Sequence, residues 1–148
     1  MQKQSWRATH DGPGLLVAVM KALAGGARIS FEGDLSRCRL SELPLATSAE
    51  TPVLERSTLW PRQDFVVLPL EPDIIQPILD RVLPENRVLS DVRHIQIEKG
   101  GLLQFGSYDS FSPGCLCCGP AVPIGILDEL RLKGILVPRD ATHEGPGN

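Results

Sequence analysis

A β-hairpin is encoded by residues 92–108, which read VRHIQIEKGGLLQFGSY. Apolar residues alternate with polar residues from His94 to Glu98 and again from Leu103 to Phe105, with Gly100-Gly101 between the two halves. Alternation with a period of two is typical of a strand with one buried face, and a pair of glycines permits a tight turn. The sequence therefore predicts two antiparallel strands here.

Three more segments have strand patterns. Residues 28–35 alternate, with Ile29 and Phe31 on one side and charged residues on the other. Residues 65–70 are continuously apolar, which suits a strand that is covered on both faces. Residues 53–60 mix β-forming residues with charged ones and predict an edge strand.

Apolar residues at three- and four-residue spacing predict helices at residues 14–24, 71–83 and 123–133. Asp11 is a suitable N-cap for the first helix. Pro77 lies inside the second helix, where it removes a backbone donor. That helix therefore either begins beside this proline or has a separate first turn.

These elements predict a single α+β domain, with a four- to five-stranded mixed sheet and about three helices packed mainly on one face. A chain of 148 residues has the size of one domain. We expect residues 1–13 to form a flexible N-terminal arm, residues 14–138 to form the domain and residues 139–148 to form a flexible C-terminal tail. Residues 36–52 have no readable pattern.

The charge balance argues against nucleic acid as a partner. The 15 Lys and Arg residues are outnumbered by 18 Asp and Glu residues, giving a net charge of -3, whereas nucleic-acid binders usually have a basic surface. No membrane segment is expected either, since the longest apolar run, Leu15 to Met20, has six residues where a spanning helix needs about twenty. The N-terminus does not resemble a secretory signal, so we expect a cytoplasmic protein with reduced cysteines.

Three of the four cysteines lie close together in residues 107–120, a segment that we expect to form a loop. Cys115 and Cys118 have the two-residue spacing of redox pairs and zinc knuckles. As a dithiol, the pair would gain a lowered pKa at Cys118 if the last helix began at this loop. As a metal site, Cys115 and Cys118 would bind a soft ion, with Cys38 as a further thiolate. We favour a third interpretation, in which the loop folds back and buries its thiols as small apolar side chains.

Aromatic residues on two loops are candidate partner-binding residues. Tyr108, Asp109 and Phe111 follow the hairpin, and Trp60 ends an earlier element. Aromatic side chains are enriched at the centres of protein interfaces. The alternative is that these residues cover the end of the sheet.

No residue is predicted to be catalytic, and no cofactor is predicted. Phosphate-binding loops, nucleophile elbows and zinc-protease motifs are absent from the sequence. Glu32 and Asp34 fall on one strand face, where we interpret them as solvent-facing charges. His94 lies on the polar side of its strand, and the sequence indicates no partner for it. These features favour a protein that is not an enzyme.

The sequence thus predicts a small cytoplasmic non-enzymatic domain that binds a protein partner or self-associates. The alternative is a thiol-based redox or soft-metal-binding protein that uses the loop from Cys115 to Cys118. A ligand pocket between the sheet and the helix that carries Ile78 and Leu79 ranks last, because no polar residues converge on it in the sequence.

Overall fold

The computed structural model of the chain describes residues 4–8, 11–84, 91–110 and 116–138. Within these ranges the chain forms seven strands and three α-helices, which confirms the α+β class. In chain order they are β1 (Gln4–Ala8), α1 (Gly12–Leu23), β2 (Ala27–Gly33), β3 (Asp64–Leu70), α2 (Ile75–Val82), β4 (Val92–Lys99), β5 (Leu102–Ser107), β6 (Leu116–Cys118), α3 (Ile124–Leu132) and β7 (Leu136–Pro138). Short 3-10 helices lie at Leu40–Glu42 and Pro72–Ile74.

The seven strands form one antiparallel sheet in the order β3-β2-β4-β5-β6-β1-β7. The predicted mixed sheet is therefore wrong. Helix α2 does join two strands that run in the same direction, β3 and β4, but β2 lies between them and pairs antiparallel with both. The predicted four to five strands match the longer strands β2 to β5, and the shorter strands β6, β1 and β7 extend the sheet beyond them.

The N-terminal part of the chain belongs to the sheet, because β1 pairs with β6 on one side and with β7 on the other. Its Trp6 is 4% exposed and belongs to the main core. The predicted flexible arm at residues 1–13 is therefore wrong for Gln4–Ala8. One large apolar residue in a five-residue strand gives no periodic pattern that a sequence could reveal. The predicted tail at residues 139–148 lies outside the described residues.

Buried residues of all three helices share one apolar cluster with the sheet. On the sheet side this cluster contains Ile29 of β2 and its cross-strand partner, Ile97 of β4. A second, smaller cluster contains Phe65 of β3, which points to the opposite face, together with Leu54 from the loop before β3. The sheet thus buries side chains on both faces, and packing of the helices mainly on one face stays a prediction.

The helices lie within a few residues of their predicted positions. Asp11 is the N-cap of α1, and its carboxylate accepts the N–H of Gly14 at 2.9 Å. The turn at Pro72–Ile74 is separate from α2, so Pro77 lies in the first turn of that helix, where a missing N–H costs no hydrogen bond. Within the described ranges, no helix has both the length and the apolar character that crossing a bilayer requires.

Two segments differ from their predicted structure. Residues 53–60 form a loop instead of an edge strand, because two of their backbone N–H groups bind the carboxylate of Glu32 and not a neighbouring strand. Residues 107–120, predicted to be a loop, contain the strand β6. Cys117 and Cys118 are therefore part of the sheet.

Candidate functional site

The segment before β3 exposes two neighbouring apolar side chains. We call residues 55–63 the Trp60 loop. Leu59 and Trp60 are each 87% exposed. The chain enters this loop from Leu54, which is fully buried beside Phe65. Trp60, a predicted partner-binding residue, therefore projects into solvent from a loop with a buried base.

A buried carboxylate binds the base of the Trp60 loop. Glu32 of β2 is 2% exposed, and its oxygens accept the backbone N–H groups of Ser57 and Thr58 at 2.7 and 3.1 Å. Hydrogen bonds to an ionised acceptor are stronger than bonds between neutral groups. Glu32 therefore fixes the backbone immediately before Leu59.

The prediction that Glu32 and Asp34 form a solvent-facing pair is wrong. Glu32 is buried because the Trp60 loop binds it, and this coverage comes from a segment distant in sequence. Asp34 lies beyond the end of β2 and is exposed, and it accepts the hydroxyl and the N–H of Ser36. The hydroxyl bond is the main cause that lowers the pKa of Asp34. The two carboxylates have separate partners and do not act together.

His94 lies opposite Glu32 in the pairing of β4 with β2 and is buried. Its Nε2 is 2.9 Å from Oγ1 of Thr58, and its Nδ1 accepts the backbone N–H of Asp109 at 3.2 Å. A ring nitrogen that accepts a hydrogen bond carries no proton, so the proton of the neutral ring is on Nε2. His94 therefore donates to Thr58, and it joins the Trp60 loop to the turn that follows β5.

Tyr108 folds back onto the sheet. Its hydroxyl accepts the side-chain N–H of Gln96 at 3.0 Å, and its ring centroid is 5.7 Å from that of His94. A Cβ atom added to Gly106 would lie 2.7 Å from this hydroxyl, so the glycine makes room for the ring. Burial raises the pKa of Tyr108. Tyr108 thus covers the sheet, which is the alternative that the sequence left open for it.

The structure joins the two loops that carry three of the four predicted partner-binding residues. The Trp60 loop and the turn of Tyr108 and Asp109 both bond to His94, while Phe111 lies outside the described residues. Trp60 and Asp109 are exposed, whereas Tyr108 is half-buried. Among the described residues of this site, Trp60 is therefore the aromatic side chain that is exposed to solvent.

The two described cysteines of the cluster point to opposite faces of the sheet. Cys118 lies in the main core, and burial raises its pKa to about 12. Cys117 is half-buried beside Gly106 on the other face. A dithiol was expected to show a lowered pKa at Cys118, and the direction is the opposite. Its predicted partner, Cys115, lies outside the described residues.

In the part of the chain that the structure describes, no further metal-binding side chains form a site with the predicted metal ligands. No group of three or more His, Cys, Asp or Glu residues is placed there to hold an ion. Cys38 is buried in the main core, and burial is the main cause that raises its pKa. Cys38 and Cys118 therefore lie where apolar packing dominates the chemistry of their thiols.

Sequence reasoning missed Glu32 and Thr58 as site residues and found no partner for His94. Glu32 and His94 face each other only because β2 pairs with β4, and that pairing joins segments about 60 residues apart. Ser57 and Thr58 reach Glu32 through a loop with no periodic pattern. No local pattern in the sequence marks Glu32 as buried, because its coverage comes from Ser57 and Thr58.

Comparison with protein-family models, with curated proteins and with solved structures gave no match.

Proposed function

We propose that this chain is a non-enzymatic binding domain that docks on a protein partner through Leu59 and Trp60. The observation that carries the proposal is that both side chains are 87% exposed while Glu32 holds the backbone just before them. Exposed apolar side chains gain free energy when a partner covers them, and Trp is among the strongest contributors to interfaces. A loop that is already held in place loses less entropy on binding.

The hydrogen bonds of His94 support a role without catalysis. A histidine that activates a hydroxyl nucleophile must accept the hydroxyl proton. Nδ1 of His94 already accepts the N–H of Asp109, so Nε2 carries the proton and donates to Thr58. In this arrangement His94 holds two loops together and does not accept the hydroxyl proton of Thr58.

The thiol-based alternative has less support. Redox exchange and soft-metal binding both require a thiolate, and a pKa of about 12 keeps Cys118 protonated at neutral pH. Reaction of the native protein with a thiol reagent distinguishes the two functions. Fast modification of two thiols would favour the alternative, whereas modification of Cys118 that is limited by unfolding would favour the binding domain.

The net charge of the chain favours a protein partner over nucleic acid or a membrane surface. Its buried thiols favour the cytoplasm. The net charge of -3 opposes binding to phosphate backbones and to anionic lipids. Cys38 and Cys118 are buried thiols, which suits a reducing compartment.

Quantitative co-purification from cells tests the proposal. The bait is the full chain, either unchanged or carrying Leu59→Ser and Trp60→Ser. A matched control carries Leu45→Ser and Leu132→Ser, because those side chains are 82% and 90% exposed and lie elsewhere on the surface. We expect at least one protein to be lost from the first variant and retained by the control. The affinity of the chain for this protein is expected to fall about 30-fold or more, because truncating a central interface residue costs about 2 kcal/mol of binding free energy.

Sedimentation of the purified chain separates a foreign partner from a second copy of the chain. A dimer that dissociates with Leu59→Ser and Trp60→Ser would mean that the loop mediates self-association. A monomer at high concentration, combined with no protein that depends on these two side chains, would contradict the proposal.

A further inference from the structure

We infer that an open cleft, formed in part by residues of the Trp60 loop, binds the oxyanion group of a ligand, either a carboxylate or a phosphate. The cleft has a volume of about 620 Å³ and lies between the first residues of β3 and the 3-10 helix at Leu40–Glu42. Its lining includes three arginines, Arg39, Arg56 and Arg62. The inference is independent of the docking proposal, because it concerns different side chains.

Arg56 is the most constrained of the three arginines. Its guanidinium carbon lies 5.0 Å from the centroid of the Phe65 ring, and its side chain is 15% exposed. Its Nε is buried and has no hydrogen-bond partner among the described residues. The nearest carboxylate, that of Glu50, is 3.9 Å from Nη1, which is too long for a hydrogen bond. A buried donor without a partner is costly in free energy, and a ligand oxygen would satisfy it once the side chain turns its Nε toward the cleft.

Arg39 and Arg62 are exposed and available to a ligand. No ion pair or hydrogen bond joins either side chain to another residue in the described part of the chain. Arginine binds carboxylate and phosphate through two parallel N–H groups, so two unpaired guanidinium groups in one cleft favour an anion.

The acidic residues of the cleft already have partners. The carboxylate of Glu42 lies 3.6 Å from Nη1 of Arg81. The carboxylate of Asp64 accepts the backbone N–H of Leu35 at 3.0 Å. Both carboxylates therefore bind groups other than the three arginines of the cleft.

The cleft is large enough for more than a single anion. Small-molecule sites usually have volumes between about 300 and 1,000 Å³, and this cleft lies within that range. Ser41 and Ser48 also line it, and their hydroxyls can donate to oxygen atoms that the arginines leave free. We therefore expect a small ligand, or the side chain of a larger one, that carries one or two oxyanion groups.

Titration of the full chain with inorganic phosphate, and separately with glutarate, tests the inference. The readout is the NMR resonance of each arginine Nε–H group, at constant ionic strength set with sodium chloride. We expect the Nε–H of Arg56 to shift and to saturate with at least one of the two anions. Saturation with phosphate alone or with glutarate alone identifies the oxyanion that the cleft prefers.

Two exposed substitutions avoid the risk of unfolding the protein. Arg39→Gln with Arg62→Gln is expected to weaken anion binding roughly tenfold or more, since charge-assisted hydrogen bonds are lost. Arg131→Gln with Lys133→Gln removes the same charge from the C-terminal end of α3 and the residue that follows it, and is expected to leave the affinity unchanged. Leu59→Ser with Trp60→Ser is also expected to retain anion binding, which separates this site from the docking site.

A linear, unsaturated response of Arg56 to both anions would overturn the inference. Equal weakening by the α3 control would also overturn it, because the binding would then follow net charge and not the cleft.

Discussion

The Nε2 atom of His94 lies 2.9 Å from Oγ1 of Thr58, although these residues are 36 positions apart in the chain. The other ring nitrogen accepts the N–H of Asp109, so one buried side chain joins two loops. Glu32, its cross-strand neighbour, binds the backbone of the first of these loops. The polar residues Glu32 and His94 of the sheet therefore hold the loop that carries the exposed Trp60.

Glu32→Gln is expected to loosen the Trp60 loop. The substitution removes the negative charge and turns an amide N–H₂ group toward one of two backbone N–H donors. We expect faster hydrogen exchange at the amides of Ser57 and Thr58 and a loss of about 1–3 kcal/mol in the free energy of unfolding. Glu55→Gln is the control, because Glu55 is an exposed residue of the same loop. Unchanged protection of both amides would show that Glu32 does not hold the loop.

The ring of His94 is expected to be the neutral tautomer with its proton on Nε2. The N–H of Asp109 occupies the lone pair of Nδ1, so a proton there would face another donor. Nitrogen-15 spectra of the imidazole ring at neutral pH distinguish the two tautomers. A proton on Nδ1 would contradict the hydrogen bonds of the site and would leave Nε2 able to act as a base toward Thr58.

The two tryptophans are expected to respond differently to the neutral quencher acrylamide. Trp6 is 4% exposed and Trp60 is 87% exposed. The fluorescence of Trp6→Phe, which retains Trp60, is therefore expected to be quenched more strongly than that of Trp60→Phe. Trp60→Phe is also expected to change the free energy of unfolding by less than about 0.5 kcal/mol. Equal quenching of the two variants would mean that the loop covers Trp60.

The stability of the protein is expected to fall as pH rises from about 9 toward 12, and part of this fall comes from Cys118. Burial raises the pKa of its thiol from an ordinary value of 9.0 to about 12. In that interval the unfolded chain loses the thiol proton more readily than the folded chain, so ionisation favours unfolding. The contribution of Cys118 is present in full below pH 9 and declines by up to about 1.4 kcal/mol per pH unit above it.

Urea denaturation of the wild type and of Cys118→Ala at several pH values isolates this contribution. Tyrosine and lysine residues also ionise at high pH, so the quantity of interest is the difference between the two proteins. We expect that difference to shrink as pH rises. A difference that stays constant with pH would mean that Cys118 is not desolvated in the folded protein.

Local patterns were sufficient to predict the helices and the central strands. The hairpin of β4 and β5 and the helices α1 and α3 each have an apolar period that is complete within the segment. The strands β6 and β7 have three residues each, which is too short for a period to be visible. Both strands pair with β1, which is distant in sequence, so pairing and not propensity decides that they are strands.

The candidate site was less predictable than the fold for a related reason. Trp60 could be predicted as a partner-binding residue from its type alone, because large aromatic residues on loops are enriched in protein interfaces. The burial of Glu32 could not be recognised, because it depends on a segment 25 residues away that folds over it. In residues 53–60, the backbone N–H groups of Ser57 and Thr58 donate to the carboxylate of Glu32 and not to a neighbouring strand. This segment therefore forms a loop, although it contains β-forming residues.

Site-specific photocrosslinking tests the central claim, that Trp60 contacts a protein partner. Benzoylphenylalanine is incorporated in place of Trp60, and in a control in place of Leu132, which is 90% exposed on α3. After irradiation of living cells, we expect a discrete crosslinked product from position 60 and not from position 132. No product from position 60, or the same products from both positions, would contradict the account.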